Sequence, residues 1–383
     1  MLRLSPEQEA LQARVRSLAA RGLAPLAERI EAASAFPQAA YDLFAAERLF
    51  ALALPKSHGG PEADALSLAL MVEAIASVSP SSSLLVFPSN AVLRTIALTG
   101  TPEQKDRLFA ELKAGIHPMG FCLTEPDHGS DAANIQTRAV RQGDHYLVSG
   151  TKSYVTLGPH ARYYLTFVRT GPGERALGIS ALLVPRDAPG LSFGPPEKKL
   201  GLHGSVTCQM FLDQARVPAV NRLGGEGQGW RVLREVANPM RAWGAAALAL
   251  GAAQGLFDLA LNHARATGQG RQQAVGFALA EMKMQIEACR SLVHRVCGMV
   301  DDFTANPDPA GFLELESMVS LSKCFAADTG VKVANLAGQV LGREMAKAGG
   351  LAASLFCVTK GVQIFDGSNQ VQRLVAARNL MEG

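Results

Sequence analysis

The run FCLTEPDHGSD, residues 121–131, passes within a few positions from apolar residues to a proline and then to a turn of Asp, His, Gly and Ser. Pro126 interrupts a strand, because it has no N–H to give to a ladder, and Gly129 lets the backbone approach another group closely. Thr124 and Ser130 bring hydroxyls that can donate to a polar ligand at the strand's end. Taken alone, the same letters also fit an ordinary strand end and turn.

Two later stretches have a similar texture. TKSYVTLG, residues 151–158, sets Tyr154 and Thr156 in a strand pattern, where they fit a half-buried strand as well as a ligand contact. FDGSNQVQR, residues 365–373, puts Asp366 in a Gly-Ser-Asn turn ahead of a helix, where a carboxylate serves either as a base or as a cap for a helix starting near Gly367 or Ser368. In this order the three stretches resemble the acyl-CoA dehydrogenase family. Its members read close to LTEPGAGSD at the first, Trp, Ile or Val, Thr and Asn before a Gly at the second, and an aromatic, Glu, Gly and Thr or Ser before a later Gln-Arg at the third.

The resemblance implies FAD-dependent α,β-dehydrogenation of an acyl thioester carried by CoA or by an acyl-carrier protein. That chemistry needs a base to take an α-proton, an acceptor for the β-hydride, and hydrogen bonds on the thioester carbonyl to make the α-proton removable. It implies a catalytic base at Asp366, flavin contacts at Cys122, Thr124, Ser130, Tyr154, Thr156, Gln339, Gly342, Ser368 and Gln370, and thioester contacts at Ser130, Arg241 and Gly367. It further implies an electron-transfer flavoprotein or oxygen as electron acceptor, and a homodimer or homotetramer.

The chain departs from the family pattern at several of these places. Tyr154 replaces the Trp, and Leu157 the usual Asn. Asp366 replaces the Glu, so its oxygens fall short by about 1.5 Å, one carbon–carbon bond. A misplacement of about 1 Å can cost roughly 10²-fold in rate, so the shorter base points to a proton lying closer to residue 366, as on a ring or branched substrate. Residues 238–242, where some relatives keep the base, hold no carboxylate. Residues 266–271 lack the family's Arg followed by Phe-Gly, and the run after Gln339 keeps Gly342 but has Arg343 and Met345 where glycines are usual. An oxidase or oxygenase on the same scaffold, or a non-catalytic subunit completing a partner's flavin site, are therefore alternatives to the dehydrogenase. The apolar neighbours Ile364 and Phe365, with a bound acyl chain, are expected to raise the Asp366 pKa.

Composition agrees with a large soluble enzyme. The 383 residues are 48% hydrophobic, enough for one large core or two to three packed subdomains. A net charge of +3 with scattered Lys and Arg argues against nucleic acid or a membrane surface as partner. The six cysteines include no CxxC, so they read as buried small hydrophobes of a reducing compartment, and the eight histidines show no metal-ligand spacing. The N-terminus is charged from its third residue, unlike a signal peptide, which points to a cytoplasmic protein. The uncharged window 242–257 is rich in Ala and Gly and shorter than the roughly 20 residues of a membrane span, so it reads as a closely packed buried helix.

The order of elements is helical, β, helical. Ser5-Pro6-Glu7-Gln8 and Thr101-Pro102-Glu103-Gln104 are capping boxes with proline at the first helical position. They bound a helical domain over residues 1–118, with a loop at 55–61 and a helix at 66–75. Strand candidates at 146–148, 163–168, 179–184 and 210–212, separated by Gly- and Pro-containing turns, form a middle β-barrel or sheet domain over 119–223. Helices at 251–263, 277–296, 313–341 and 371–380 form a C-terminal bundle over 224–383. Spacing alone supports a generic α+β class, and the resemblance narrows it to the acyl-CoA dehydrogenase-like fold. GGEGQGW, residues 224–230, is not a dinucleotide-binding loop, since no βαβ unit surrounds it, and is expected to be a flexible connection.

Overall fold

The computed structural model describes residues 4–382 apart from 174, 310 and 348. Six helices come first: α1 (Pro6–Leu18), α2 (Ala27–Ala33), α3 (Gln38–Ala46), α4 (Ala65–Ala76), α5 (Pro80–Thr99) and α6 (Pro102–Leu112). The capping boxes of α1 and α6 form in both directions. Ser5 Oγ accepts from Gln8 N at 3.2 Å while Gln8 Oε1 accepts from Ser5 N at 2.9 Å, and Thr101 with Gln104 repeats the exchange at 3.3 and 2.8 Å.

Helix α5 was not legible from its letters, because SPSSSLLVFPSN reads as turn-forming and carries Pro88 in its interior. It survives by burial and by side chains that grip carbonyls. Ser89 Oγ donates to Leu85 O at 2.8 Å and also accepts the Met119 N–H at 2.9 Å, while Asn90 joins the carbonyls of Val86 and Leu49. The contact to Met119 ties α5 to the first strand.

That strand is β1 (Met119–Cys122), followed by β2 (Arg138–Gln142), β3 (His145–Thr156), β4 (Tyr163–Arg169), β5 (Ile179–Pro185), β6 (Leu191–Phe193), β7 (Thr207–Pro218) and β8 (Arg222–Leu223). They make one eight-stranded sheet in the order β6-β7-β3-β2-β4-β5-β8, with β1 parallel to β4. β4 and β5 are buried nearly end to end, which explains their continuous apolar runs. The loop at 224–230 is more tightly specified than a flexible connection. The Gly227 N–H donates to Ser180 Oγ at 2.8 Å, and a Cβ on Gly229 would lie 2.5 Å from the Ser180 carbonyl carbon.

The chain then returns to helix with α7 (Gly229–Arg231), two π-helical turns (Val232–Ala237 and Ala242–Ala246), α8 (Ala247–Thr267), α9 (Gln273–Ala305), α10 (Gly311–Leu341), α11 (Leu351–Val362) and α12 (Asn369–Glu382). The run Gly229–Thr267 is long and apolar enough by composition to cross a bilayer, and most of its apolar window is buried inside the molecule. Its glycines explain the packing. A Cβ on Gly251 would lie 2.5 Å from Glu73 O of α4, and one on Gly255 would lie 2.1 Å from Ser77 O at the end of that helix. The six cysteines are unpaired; five are buried, and Cys357 is only half-buried.

Gly255→Val should lower stability by about 3 kcal/mol, since the backbone of residue 77 cannot retreat. Gly298→Ala in α9 meets open space and should raise stability by about 0.5–1 kcal/mol. Urea midpoints of the two variants check both signs.

Candidate active site

Apart from Gln339 and Gly342, the residues singled out in the sequence gather into two clusters, one at the ends of β1 and β3 and one in the turn before α12. In the first, the Ser153 N–H donates to Thr124 O at 2.8 Å, joining the loop after β1 to the bulged part of β3. Glu125 and Lys152, both buried, lie beneath this junction. Lys152 Nζ reaches Glu125 Oε1 at 2.8 Å and Leu123 O at 3.1 Å, and the Glu125 carboxylate accepts from the N–H groups of Gln136 at 2.6 Å and Thr137 at 2.9 Å. Burial by itself would raise the Glu125 pKa, but the Lys152 charge and the hydrogen bonds from Gln136, Lys152 and Thr137 outweigh it and hold the carboxyl below its ordinary range.

The junction presents polar groups outward. Tyr154 sits where the β3 register shifts against β7, at φ +55°, with its ring 66% exposed. Thr124 and Thr156 are half-buried and Ser130 is exposed. Cys122 is different: its side chain is buried with Lys152, Thr166 and Cys208 around it, and burial pushes the thiol up to about 12. Its side chain belongs to the sheet interior, which leaves only its backbone for a ligand. Leu157, where the family has Asn, takes φ +68° with its side chain in the core, a conformation that Asn adopts with less strain.

The second cluster is built on two consecutive residues in left-handed conformation, Asp366 at φ +58° and Gly367 at φ +80°. Asp tolerates this region and Gly is required at the next position, since a Cβ there would lie 2.2 Å from Gln372 Nε2. Arg241 Nε donates to Asp366 O at 2.6 Å, and Lys323 Nζ donates to Gly367 O at 2.8 Å and to Asn369 Oδ1 at 3.1 Å. Asp366 Oδ2 is buried without a hydrogen-bond partner among the described residues. Burial raises the Asp366 pKa, while the Arg241 and Lys323 charges oppose the rise. The direction matches the expectation from sequence, but one cause does not: Ile364 is 63% exposed, and of the two apolar neighbours Phe365 alone packs on the core. Burial likewise pulls the Lys323 ammonium down to about 8.

Asp366 does not cap α12. That helix begins at Asn369, and Ser368 Oγ accepts from Val371 N at 3.4 Å. Ser368 is half-buried and Gln370 exposed. Gln339 and Gly342 are exposed at the far end of α10, sixteen and nineteen residues from Lys323, so roughly 24 Å or more along the helix from the Asp366 turn. Arg241 contacts the protein's own backbone, at Asp366 O. The two clusters are linked through α5. Ser89 holds the start of β1, and two residues earlier the Phe87 ring lies over Gly244, edge-on to Trp243, one helical turn beyond Arg241.

Sequence reading missed Lys323, Glu125 and Lys152 as parts of the site. The available signal was a lone lysine among small and apolar residues at 318–327, which predicts burial with acceptors nearby but does not say which. The exposed Ser130 and the half-buried Thr124 and Thr156, beside an outward aromatic ring, suit a large planar polar cofactor such as a flavin.

Three family models cover the chain: acyl-CoA dehydrogenase N-terminal domain at residues 5–115, middle domain at 120–215 and C-terminal domain at 227–381. The cyclohex-1-ene-1-carbonyl-CoA dehydrogenase of Geobacter metallireducens is 34% identical, with all of both chains covered. Among solved structures, a chain from the electron transferring flavoprotein study of Acidaminococcus fermentans is 30% identical with a TM-score of 0.92, and the butyryl-CoA dehydrogenase of Megasphaera elsdenii is 27% identical with a TM-score of 0.91. Both cover 100% of each chain.

Lys152→Met leaves the Glu125 carboxylate buried without its cation and should cost about 3–5 kcal/mol. In wild type the depressed Glu125 pKa adds stability that is complete above the ordinary glutamate value and is lost as pH falls through the lower folded value. Denaturant titrations from pH 7 down to pH 3 should show the gap between the two proteins narrowing.

Proposed function

The chain belongs to the acyl-CoA dehydrogenase family, and from that premise we propose that Asp366 is the base that removes the α-proton from a compact, ring-bearing acyl-CoA. The protein is an FAD-dependent oxidoreductase that introduces an α,β double bond into an acyl-CoA thioester. The observation that carries the assignment of the base is the buried, unpartnered Oδ2 of Asp366, on a turn whose two carbonyls are already held by Arg241 and Lys323. With the backbone fixed, the carboxylate oxygen is left for substrate.

Burial makes Asp366 a stronger base once ionised, and its two cationic neighbours keep the ionised form accessible. FAD, when bound, supplies the two-electron acceptor for the hydride that leaves the β-carbon. Thr124, Ser130, Tyr154 and Thr156 are the residues we assign to holding it, with Ser368 and Gln370 from the second cluster. The short side chain at 366 favours a proton carried close to the turn, and a ring holds its α-carbon in a fixed place with little conformational freedom to lose. The name of the Geobacter relative, which acts on a cyclohexene carbonyl thioester, supports the same choice.

We further propose a homo-oligomer. Leu321 and Phe325, one turn apart on α10, and Leu374, Leu380 and Met381 on α12 are exposed apolar side chains suited to a second copy. An electron-transfer flavoprotein is the favoured electron acceptor, in keeping with the Acidaminococcus match. Unpaired, largely buried cysteines suit a reducing cytoplasm.

Asp366→Asn should retain FAD yet abolish anaerobic bleaching of the flavin by a cyclohexene- or cyclohexane-carbonyl-CoA, and Asp366→Glu should shift preference toward straight-chain thioesters. In wild type the bleaching rate should fall as pH drops through a midpoint above 3.8, the ordinary aspartate value, because only ionised Asp366 accepts the proton. An Asn variant that bleaches as fast as wild type makes Asp366 structural. Ser130→Ala should weaken FAD retention by about 1 kcal/mol, read by equilibrium dialysis.

A further inference from the structure

Lys323 is wholly buried in α10, and both of its hydrogen bonds go to the turn before α12, to Gly367 O at 2.8 Å and Asn369 Oδ1 at 3.1 Å. The next residue grips the same turn. Cys324 Sγ lies 3.3 Å from Asn369 O, and the Cys324 carbonyl accepts from Asn369 Nδ2 at 3.3 Å. Asn369 Nδ2 also donates to Asp328 Oδ1 at 2.8 Å, and Asp328 in turn holds Gln363 and Arg373. One face of α10 is thus bonded to residues 363–373 at several points, and the Lys323 charge acts on Asp366.

We propose that Lys323 is a positioning residue of the reaction: its ammonium fixes the Gly367 carbonyl while Arg241 fixes the Asp366 carbonyl, and together they set where the Asp366 carboxyl points. The inference rests on the reading of Asp366 as the base. A left-handed pair of residues has few contacts of its own to hold it, and a rotation of either peptide swings the short Asp side chain away from its target. Two cations on consecutive carbonyls prevent that rotation. A neutral apolar residue at 323 would avoid the cost of burying a charge but would leave the Gly367 carbonyl without its donor. Among the described residues, the titratable and charged groups that bear on the site are few. Arg241 and Lys323 face Asp366, Glu316 faces Arg241, and Cys324 and Asp328 face Lys323.

The test uses the FAD-loaded enzyme with Lys323→Met, Lys323→Gln and Asp366→Asn. Lys323→Met removes the donor while keeping the length and is expected to retain FAD and bind a ring carbonyl-CoA as wild type does. Its flavin bleaching should slow roughly 10²-fold. Amide exchange in the peptide spanning residues 364–369 should quicken by about ten-fold while exchange in α10 is unchanged. The acid midpoint of the bleaching rate should move to higher pH, because Asp366 loses one of the two positive neighbours that lower its pKa. Lys323→Gln, which keeps an N–H donor, should recover part of the exchange protection and leave the midpoint raised. Wild-type rate, exchange and midpoint in Lys323→Met, with Asp366→Asn inactive, overturn the positioning role alone. Full bleaching in Asp366→Asn overturns the base assignment on which it rests. Loss of FAD or of thioester binding in both Lys323 variants makes Lys323 a residue of the fold and also overturns the proposal.

Discussion

A buried ammonium is stable only among acceptors, and the burial of Lys323 therefore constrains everything around it. Its partners are a backbone carbonyl and an amide oxygen, so the cost of removing the charge from water is offset by bonds to a specific turn. Because Lys323 and Arg241 come from different helical segments, the turn that carries Asp366 is held at the meeting point of α10, the π-helical stretch before α8 and α12. Displacing the turn from α10 would leave the buried Lys323 without its acceptors, and the site inherits the rigidity of the bundle.

The middle sheet solves a similar problem with a pair of charges. Lys152 on β3 and Glu125 after β1 are both buried, and the carboxylate also receives two backbone N–H groups, so its lone pairs are well satisfied. The pair fixes the loop after β1 against the bulge at Tyr154, and the exposed ring of that region is presented on a firm base. The strained φ values at Tyr154 and Leu157 are maintained by this packing.

Close helix packing joins the two clusters. Gly251 and Gly255 let α8 lie directly on the backbone of α4 and Ser77, and Gly244 receives the Phe87 ring of α5. Helix α5 also holds the first residue of β1 through Ser89. Side chains on one buried helix thus connect the segment carrying Arg241 to the loop carrying Thr124.

The chain's letters by themselves determined the helical, β, helical order, both capping boxes and the four long strands, because these depend on local propensity and periodicity. Helix α5 was hidden, since Pro88 and the serines argue for turns and only burial with carbonyl-gripping side chains overrides them. Ile364 read as a burying neighbour of Asp366, yet it faces outward, because it lies in the turn that closes α11, where neither helical nor strand periodicity fixes the side-chain direction. Tertiary structure alone decided the partners of Arg241, Lys152 and Lys323. Those contacts join residues 27 to 125 positions apart, and pairing at such separations is set by how whole helices and strands pack rather than by any local pattern.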